Sequence, residues 1–248
     1  MSLDGIRITL PHWYGFAPGI ATSHAPVLTD AEWDRLREQD TSFGFGGSRE
    51  EWVSNARSNP LVGRRAEAVA GLLTTWGAGR LVSAGVGTGM FEFLLKSAVP
   101  GLVMRCGDWS PESLRLLQQR FVECDSIERM DLRQPAWAHG NEEVVLLNRV
   151  DMELSDVEWR VCFAQLAAAG VQRIVWIPCG LLTARSTIAE IRGVLAGIGK
   201  RRKLARSGYL RTPARMGELF SDRYERREVL NQGDLPTWGL HLRTGQVL

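Results

Sequence analysis

The sequence predicts an α/β protein: a parallel sheet with crossover helices, preceded by a helical cap. Two observations carry the sheet. After Gly77, β-rich runs ("RLVSAG", "LVMRCG", "EEVVLLN", "VQRIVWIP") alternate with helical stretches, and parallel strands need crossovers of that kind. Gly85, Gly87 and Gly89 then stand at alternating positions directly behind the first run, where a chain bends tightly under a ligand. The cap rests on a third: up to Gly77 the pattern is irregular and then helical. The expected division is a cap or lid at 1–77 and a core at 78–248.

In the cap, "LTDAEWDRLREQ" has Thr29 or Asp30 as N-cap. Ser48 and Glu51 stand at capping-box spacing and open a second helix. Val62, Ala66, Val69, Leu73 and Trp76 form the apolar stripe of a third, with Gly77 at its C-terminal cap. The glycine-rich "TSFGFGGS" is a connector or a mobile lid. In the core, helices open at Met90, at Pro111 behind an N-cap Ser110, and at Ser155 or Asp156. Residues 181–208 read as a helical, basic insertion containing "GKRRKLAR". Thr212 and Pro213 start a further helix, and "YERREVL" with "TWGLHLR" alternate as an antiparallel pair closing the sheet.

Composition narrows the function classes. A formal charge of +2 on 248 residues gives no general polyanion-binding signal. No apolar run nears the roughly 18 residues of a membrane span, and "MSLDGIRITLPHWYGF" lacks the pattern of a secretory signal. Cys106, Cys124, Cys162 and Cys179 have no metal-type spacing, so reduced thiols in a cytoplasmic protein are expected. His12, His24, His139 and His241 are too dispersed for a zinc motif. No metal is expected.

A strand, a glycine turn, a helix and a second strand ending in an acid form a nucleoside site. Asp108 lies nineteen residues beyond Gly89, at the end of "LVMRCGD", in place to bind ribose hydroxyls. A dinucleotide loop needs glycine where Met90 stands. The spacing is instead G-x-G-x-G, suited to an adenosine without pyrophosphate.

Here the chain resembles the class I S-adenosylmethionine-dependent methyltransferases. "VSAGVGTG" is similar to their first motif, "CGDWSPESL" to their second-strand segment, "RMDLRQP" to the loop after the third strand, and "LLNRVDMELSDVEW" to the end of the fourth. The resemblance runs from about Arg80 to Arg243. It implies a Rossmann-like, seven-stranded, mostly parallel sheet with an antiparallel last strand and helices on both faces. S-adenosylmethionine is then the implied cofactor, and S-adenosylhomocysteine the product.

The resemblance also implies roles. Gly85, Gly87 and Gly89 give the cofactor backbone room, Asp108 takes the ribose hydroxyls and Trp109 covers the adenine. Asp131 accepts from the adenine amino group, with the Leu132 amide beside it, and Asn148 or Arg149 lines the methionine end. Ser83 departs from the family, which commonly carries an acid there. Arg64 and Arg65 are available to meet a carboxylate instead. For the acceptor, Glu153 is a base or amine ligand, or an exposed acid before a helix; Asp151 has the same ambiguity. His12, Trp13 and Tyr14 line the pocket or pack elsewhere; Trp176 and Cys179 border it by topology, or Trp176 is sheet core.

The expected activity is methyl transfer to a small-molecule acceptor, oxygen slightly preferred over nitrogen. No nucleic acid or membrane partner is expected, and a homodimer is allowed. A non-catalytic cofactor-binding protein is the alternative, kept open by Ser83. A nucleic-acid methyltransferase is a weaker one, opposed by the near-neutral charge and the missing Asn/Asp-Pro-Pro-aromatic motif.

Overall fold

In the computed structural model, residues 5–16, 47–139, 143–183, 186–188, 191–192, 195, 203–232 and 235–244 are described. The expected helix at 28–39, most of the "TSFGFGGS" connector and His24 lie outside them.

A seven-stranded sheet holds β2 (Arg80–Ala84), β3 (Val103–Asp108), β4 (Ser126–Arg129), β5 (Val144–Asn148), β6 (Arg173–Ile177), β8 (Tyr224–Gln232) and β9 (Leu235–Leu242). Their order is β4-β3-β2-β5-β6-β9-β8. β9 pairs antiparallel with both β6 and β8, so it alone runs against the others. The expected closing pair is present. The strand order reverses beside β2, and in open α/β sheets ligands bind at such a switch point, beyond the strands' carboxyl ends.

The helices start where their caps dictate. α1 (Arg49–Ser58) opens on a complete Ser48–Glu51 capping box. α2 (Pro60–Thr75) buries Ala66, Val69 and Leu73. It ends at Gly77 with φ +61°, where the Ala78 amide donates to Leu73 O at 2.9 Å. α3 (Met90–Ala98) follows the glycine turn, and α4 (Pro111–Arg120) starts at Ser110. A second capping box resolves the N-cap of α5 (Asp156–Ala168) as Ser155, and Thr212 caps the short α6 (Pro213–Glu218).

Two apolar layers flank the sheet. One gathers Trp159, Phe163, Trp176, Phe220 and Trp238. The other joins Trp52 of α1 and Val69 and Leu73 of α2 to Phe93 of α3 and Leu117 of α4. Of the stretch expected as a cap, the described helices α1 and α2 pack into the core on this face. The apolar stripe of α2 needed a partner, and the sheet supplies it.

A two-stranded ribbon has no counterpart among the sequence expectations. β1 (Thr9–Phe16) pairs antiparallel with β7 (Lys203–Arg211) in a separate two-stranded sheet. Residues 203–208, expected within a helical insertion, are therefore strand; helical turns occur earlier in that stretch, at 186–188. The extended form of 203–208 depends on pairing with a segment near the other end of the chain, which no local pattern announces.

Candidate functional site

The site begins where β2 ends. Gly85, Gly87 and Gly89 have φ of +78°, +54° and +71°, a region that L side chains rarely occupy. Space is short as well: a Cβ at Gly85 would meet Val150 Cγ1 at 2.4 Å, and one at Gly89 would meet Leu117 Cδ2 at 2.4 Å. The turn is tied to β3, since the Gly85 and Val86 amides donate to Gly107 O at 2.8 and 3.1 Å.

Asp108 closes the turn from the end of β3. Only 2% exposed, it accepts from the Gly87 amide through Oδ2 at 2.8 Å and from the Ser110 amide through Oδ1 at 3.0 Å. One carboxylate thus fixes both the glycine loop and the N-cap of α4. On the outer side, the Trp52 indole donates to Thr88 O at 2.9 Å.

Trp109, Asp131 and Leu132 gather beside this turn. The Met130 amide donates to Asp108 O at 3.1 Å, joining the loop after β4 to the end of β3. Asp131 Oδ1 accepts from the Arg133 amide at 2.8 Å. The Arg133 guanidinium lies 5.4 Å from the Trp109 ring centroid and 3.2 Å from Glu158. Leu132 is buried. Arg133 itself carried no sequence signal beyond its place beside Asp131.

At the end of β5, Asn148 is half-buried and Arg149 exposed. Arg149 has φ +60°, and among the described residues it is the one non-glycine in the left-handed region. Such strain is stored where surroundings over-determine the backbone. Here the Arg149 amide donates to Ile177 O at 2.8 Å. Beneath lies a buried acid, Glu92, that the sequence motifs do not mark. Ser83, fully buried, donates its hydroxyl to Glu92 Oε1 at 2.9 Å. Glu92 is also fully buried, and its Oε2 has no hydrogen-bond partner. Burial pushes its carboxyl up to about 7. Of the two arginines expected to meet a carboxylate, Arg65 is buried and Arg64 exposed.

The expected acceptor side separates into parts. Asp151 is fully buried and accepts from the Cys179 and Gly180 amides at 2.7 Å each. Burial raises its carboxyl above the ordinary value. Asp151 is therefore a brace between loops and not a residue open to an acceptor. Trp176 is wholly buried, 5.3 Å from the Trp159 ring centroid and 5.9 Å from that of Trp238. Strand alternation turns it into the aromatic layer, so it does not border the site. Cys179 donates to Arg149 O at 3.5 Å, and burial holds its thiol well above its usual range.

Glu153 is half-buried on the loop between β5 and α5, its amide donating to Val150 O at 3.1 Å. The ribbon reaches this same loop. The Tyr209 amide donates to Met152 O at 3.0 Å, and a Cβ on Gly208 would meet that oxygen at 2.4 Å. His12, half-buried, is the register partner of Gly208, on the edge of β7 opposite the one that bonds Met152 and Gly180. The backbones of Trp13 and Tyr14 face Arg206 and Ala205; their side chains lie outside the description.

Arg211, another residue the sequence did not single out, ties the loop down. It is fully buried and donates to the carbonyls of Asp151 and Leu154. It also pairs with Asp156 at 2.6 Å. Among the described residues no cluster of acids, histidines and cysteines could hold a metal, and no helix is long and apolar enough to cross a membrane.

No protein-family model matches the chain, and no curated protein sequence does. Solved structures do match. Magnesium protoporphyrin IX methyltransferase from Synechocystis PCC 6803 with bound SAH is 16% identical, with TM-score 0.58, over 86% of this chain and 95% of that one. Human N-acetylserotonin methyltransferase in complex with SAM is 15% identical, with TM-score 0.58, over 88% of this chain and 64% of that one. The mitomycin 7-O-methyltransferase is 18% identical, with TM-score 0.57, over 85% and 60%. The chain has the α/β fold shared by these S-adenosylmethionine-dependent methyltransferases.

Proposed function

We propose that this protein is an S-adenosylmethionine-dependent methyltransferase acting on a small-molecule acceptor, with oxygen slightly preferred as the acceptor atom. One observation carries the reading: of three left-handed glycines, Gly85 and Gly89 would bring an added Cβ into collision, and Gly87 is tied through its amide to the Asp108 carboxylate. That arrangement presents bare backbone and a fixed acid at the sheet's switch point, which suits a nucleoside. The small-molecule acceptor is supported by the names of the similar structures, which include a porphyrin and a mitomycin methyltransferase.

The residues present fit the cofactor. Asp108 would accept from the ribose hydroxyls, a carboxylate being an acceptor suited to a vicinal diol. Trp109 and Leu132 would flank the adenine, and Asp131 would accept from its amino group. Asn148 and Arg149 would lie at the methionine end. When bound, the cofactor supplies an electrophilic methyl group on a sulfonium. The protein's own task is to hold the acceptor in line, exclude water and receive a proton.

Glu153 is proposed for that last role, taking the proton of an acceptor hydroxyl on the loop after β5. His12 is proposed to line the same space from the ribbon. Asp151 takes no part beyond bracing, because both its carboxylate oxygens are engaged by backbone amides.

The test is calorimetric titration with S-adenosylhomocysteine. Asp108→Asn should weaken binding about 10- to 100-fold, since a hydrogen bond to a charged acceptor contributes about 1.5–3 kcal/mol. Asn keeps one acceptor oxygen for the Gly87 and Ser110 amides where Ala keeps none, and circular dichroism checks that the variant stays folded. Absence of binding by the unaltered protein, or unchanged affinity in the variant, refutes the reading.

A further inference from the structure

We propose that Glu92 is a positioning residue for the cofactor, its buried carboxylate acting from beneath Ser83 and Asn148 to favour the positively charged ammonium of the cofactor's amino-acid end. The inference rests on the adenosyl reading above and deepens it.

Glu92 sits in the first turn of α3, directly behind the glycine loop. It has no accessible surface, so it acts through its neighbours and not by contact. Ser83 of β2 holds Oε1 at 2.9 Å, while Oε2 is buried with no hydrogen-bond partner. A buried carboxylate left half-satisfied is unfavourable, and a nearby cation relieves it. The side chains of Ser83 and Asn148 favour the ionised form, whereas Asp108 of β3 opposes it. The Cys106 thiol of β3 also feels its charge. On the helical side, Arg57 of α1 lies over the ring of the adjacent Phe93, and α2 carries the buried Arg65. The three strands that meet Glu92 thus supply hydroxyl, amide, acid and thiol groups and no cation. On its own helix Lys96 also acts on Cys106 but is engaged by Asp125 and the Leu102 carbonyl, so the cation assigned here is the ligand's.

Burial raises the Glu92 carboxyl from 4.5 to about 7, so it changes charge within the range of an ordinary assay. A cation seated nearby lowers such a value by about one unit or more. By linkage the affinity then rises by the same factor, about tenfold, as the carboxyl ionises.

Two probes separate this role from a structural one: S-adenosylhomocysteine, and 5′-methylthioadenosine, which lacks the amino-acid portion. Both are titrated from pH 5 to 8.5. Affinity of the unaltered protein for S-adenosylhomocysteine should rise about tenfold through pH 7, with methylthioadenosine showing no such rise. Glu92→Gln should abolish the rise, bind S-adenosylhomocysteine about tenfold more weakly at pH 8 and leave methylthioadenosine unaffected. Ser83→Ala should move the rise to higher pH, because its hydroxyl favours the ionised carboxylate. An unchanged profile in Glu92→Gln overturns the inference alone, as does equal loss of both probes. Binding of neither probe by the unaltered protein overturns the adenosyl reading, and the inference with it.

Discussion

Replacing Glu92 by Gln should stabilise the protein at neutral and alkaline pH, and the size of the effect follows from its burial. The carboxyl is raised from 4.5 in the unfolded chain to about 7 in the folded one, chiefly by desolvation. The folded state therefore holds a proton that the unfolded state releases between those values. The associated stability is fully present below 4.5 and is lost as pH rises through 7. At 1.36 kcal/mol per unit, the loss approaches about 3 kcal/mol by pH 8. Gln keeps the shape, offers Ser83 an acceptor and carries no charge to desolvate. Relative to the unaltered protein, Glu92→Gln should gain about 3 kcal/mol between pH 4.5 and 8, most of it before pH 7. In thermal melts followed by circular dichroism, that corresponds to roughly 6–12 °C for a chain of this size. A melting difference that stays constant across this range would mean that the carboxyl titrates as if in water, and the reasoning fails.

Two further perturbations address the acceptor side. Arg211→Met should destabilise the fold by about 3–5 kcal/mol in urea unfolding, because it strips the Asp151 and Leu154 carbonyls and the Asp156 carboxylate of a fully buried partner; a change below about 1 kcal/mol would show that the clamp contributes little. Glu153→Gln should lower turnover on an accepted substrate at least about 100-fold, with S-adenosylhomocysteine affinity unchanged; full turnover would reduce Glu153 to a surface acid.

Local chemistry explains which parts of the architecture could be read in advance. Ser48, Ser110, Ser155 and Thr212 announce helices because an N-cap bond is closed within three residues. The glycine turn could be read because its left-handed backbone favours glycine at each alternate position, and Asp108 because its distance from the turn is set by one helix and one strand. Glu92 was masked by its position: an acid in a first helical turn ordinarily faces water and the helix dipole. A signal was present, since Phe91, Glu92, Phe93 and Leu95 are all buried, and "FEFLL" leaves that turn little polar face. Trp176 could be read only as far as its strand; which face it takes depends on the register of β6.

The ribbon was hidden for a different reason, and that reason bears on the chemistry. β1 and β7 come from distant parts of the chain, and neither carries a turn signal pointing to the other. Yet β7 presses Gly208 and Tyr209 onto Met152, while Arg211 holds the carbonyls on either side of Met152–Glu153. Gly180 packs against the same loop, where an added Cβ would meet Met152 Cγ at 2.6 Å. The proposed acceptor loop thus takes its shape from β7 and Gly180, whereas the proposed cofactor turn is held by Gly107, Asp108 and Trp52, none of them in the ribbon. Changes in the ribbon should therefore alter the acceptor side while leaving the glycine turn intact. Specificity can vary in one half of such a site without disturbing the other.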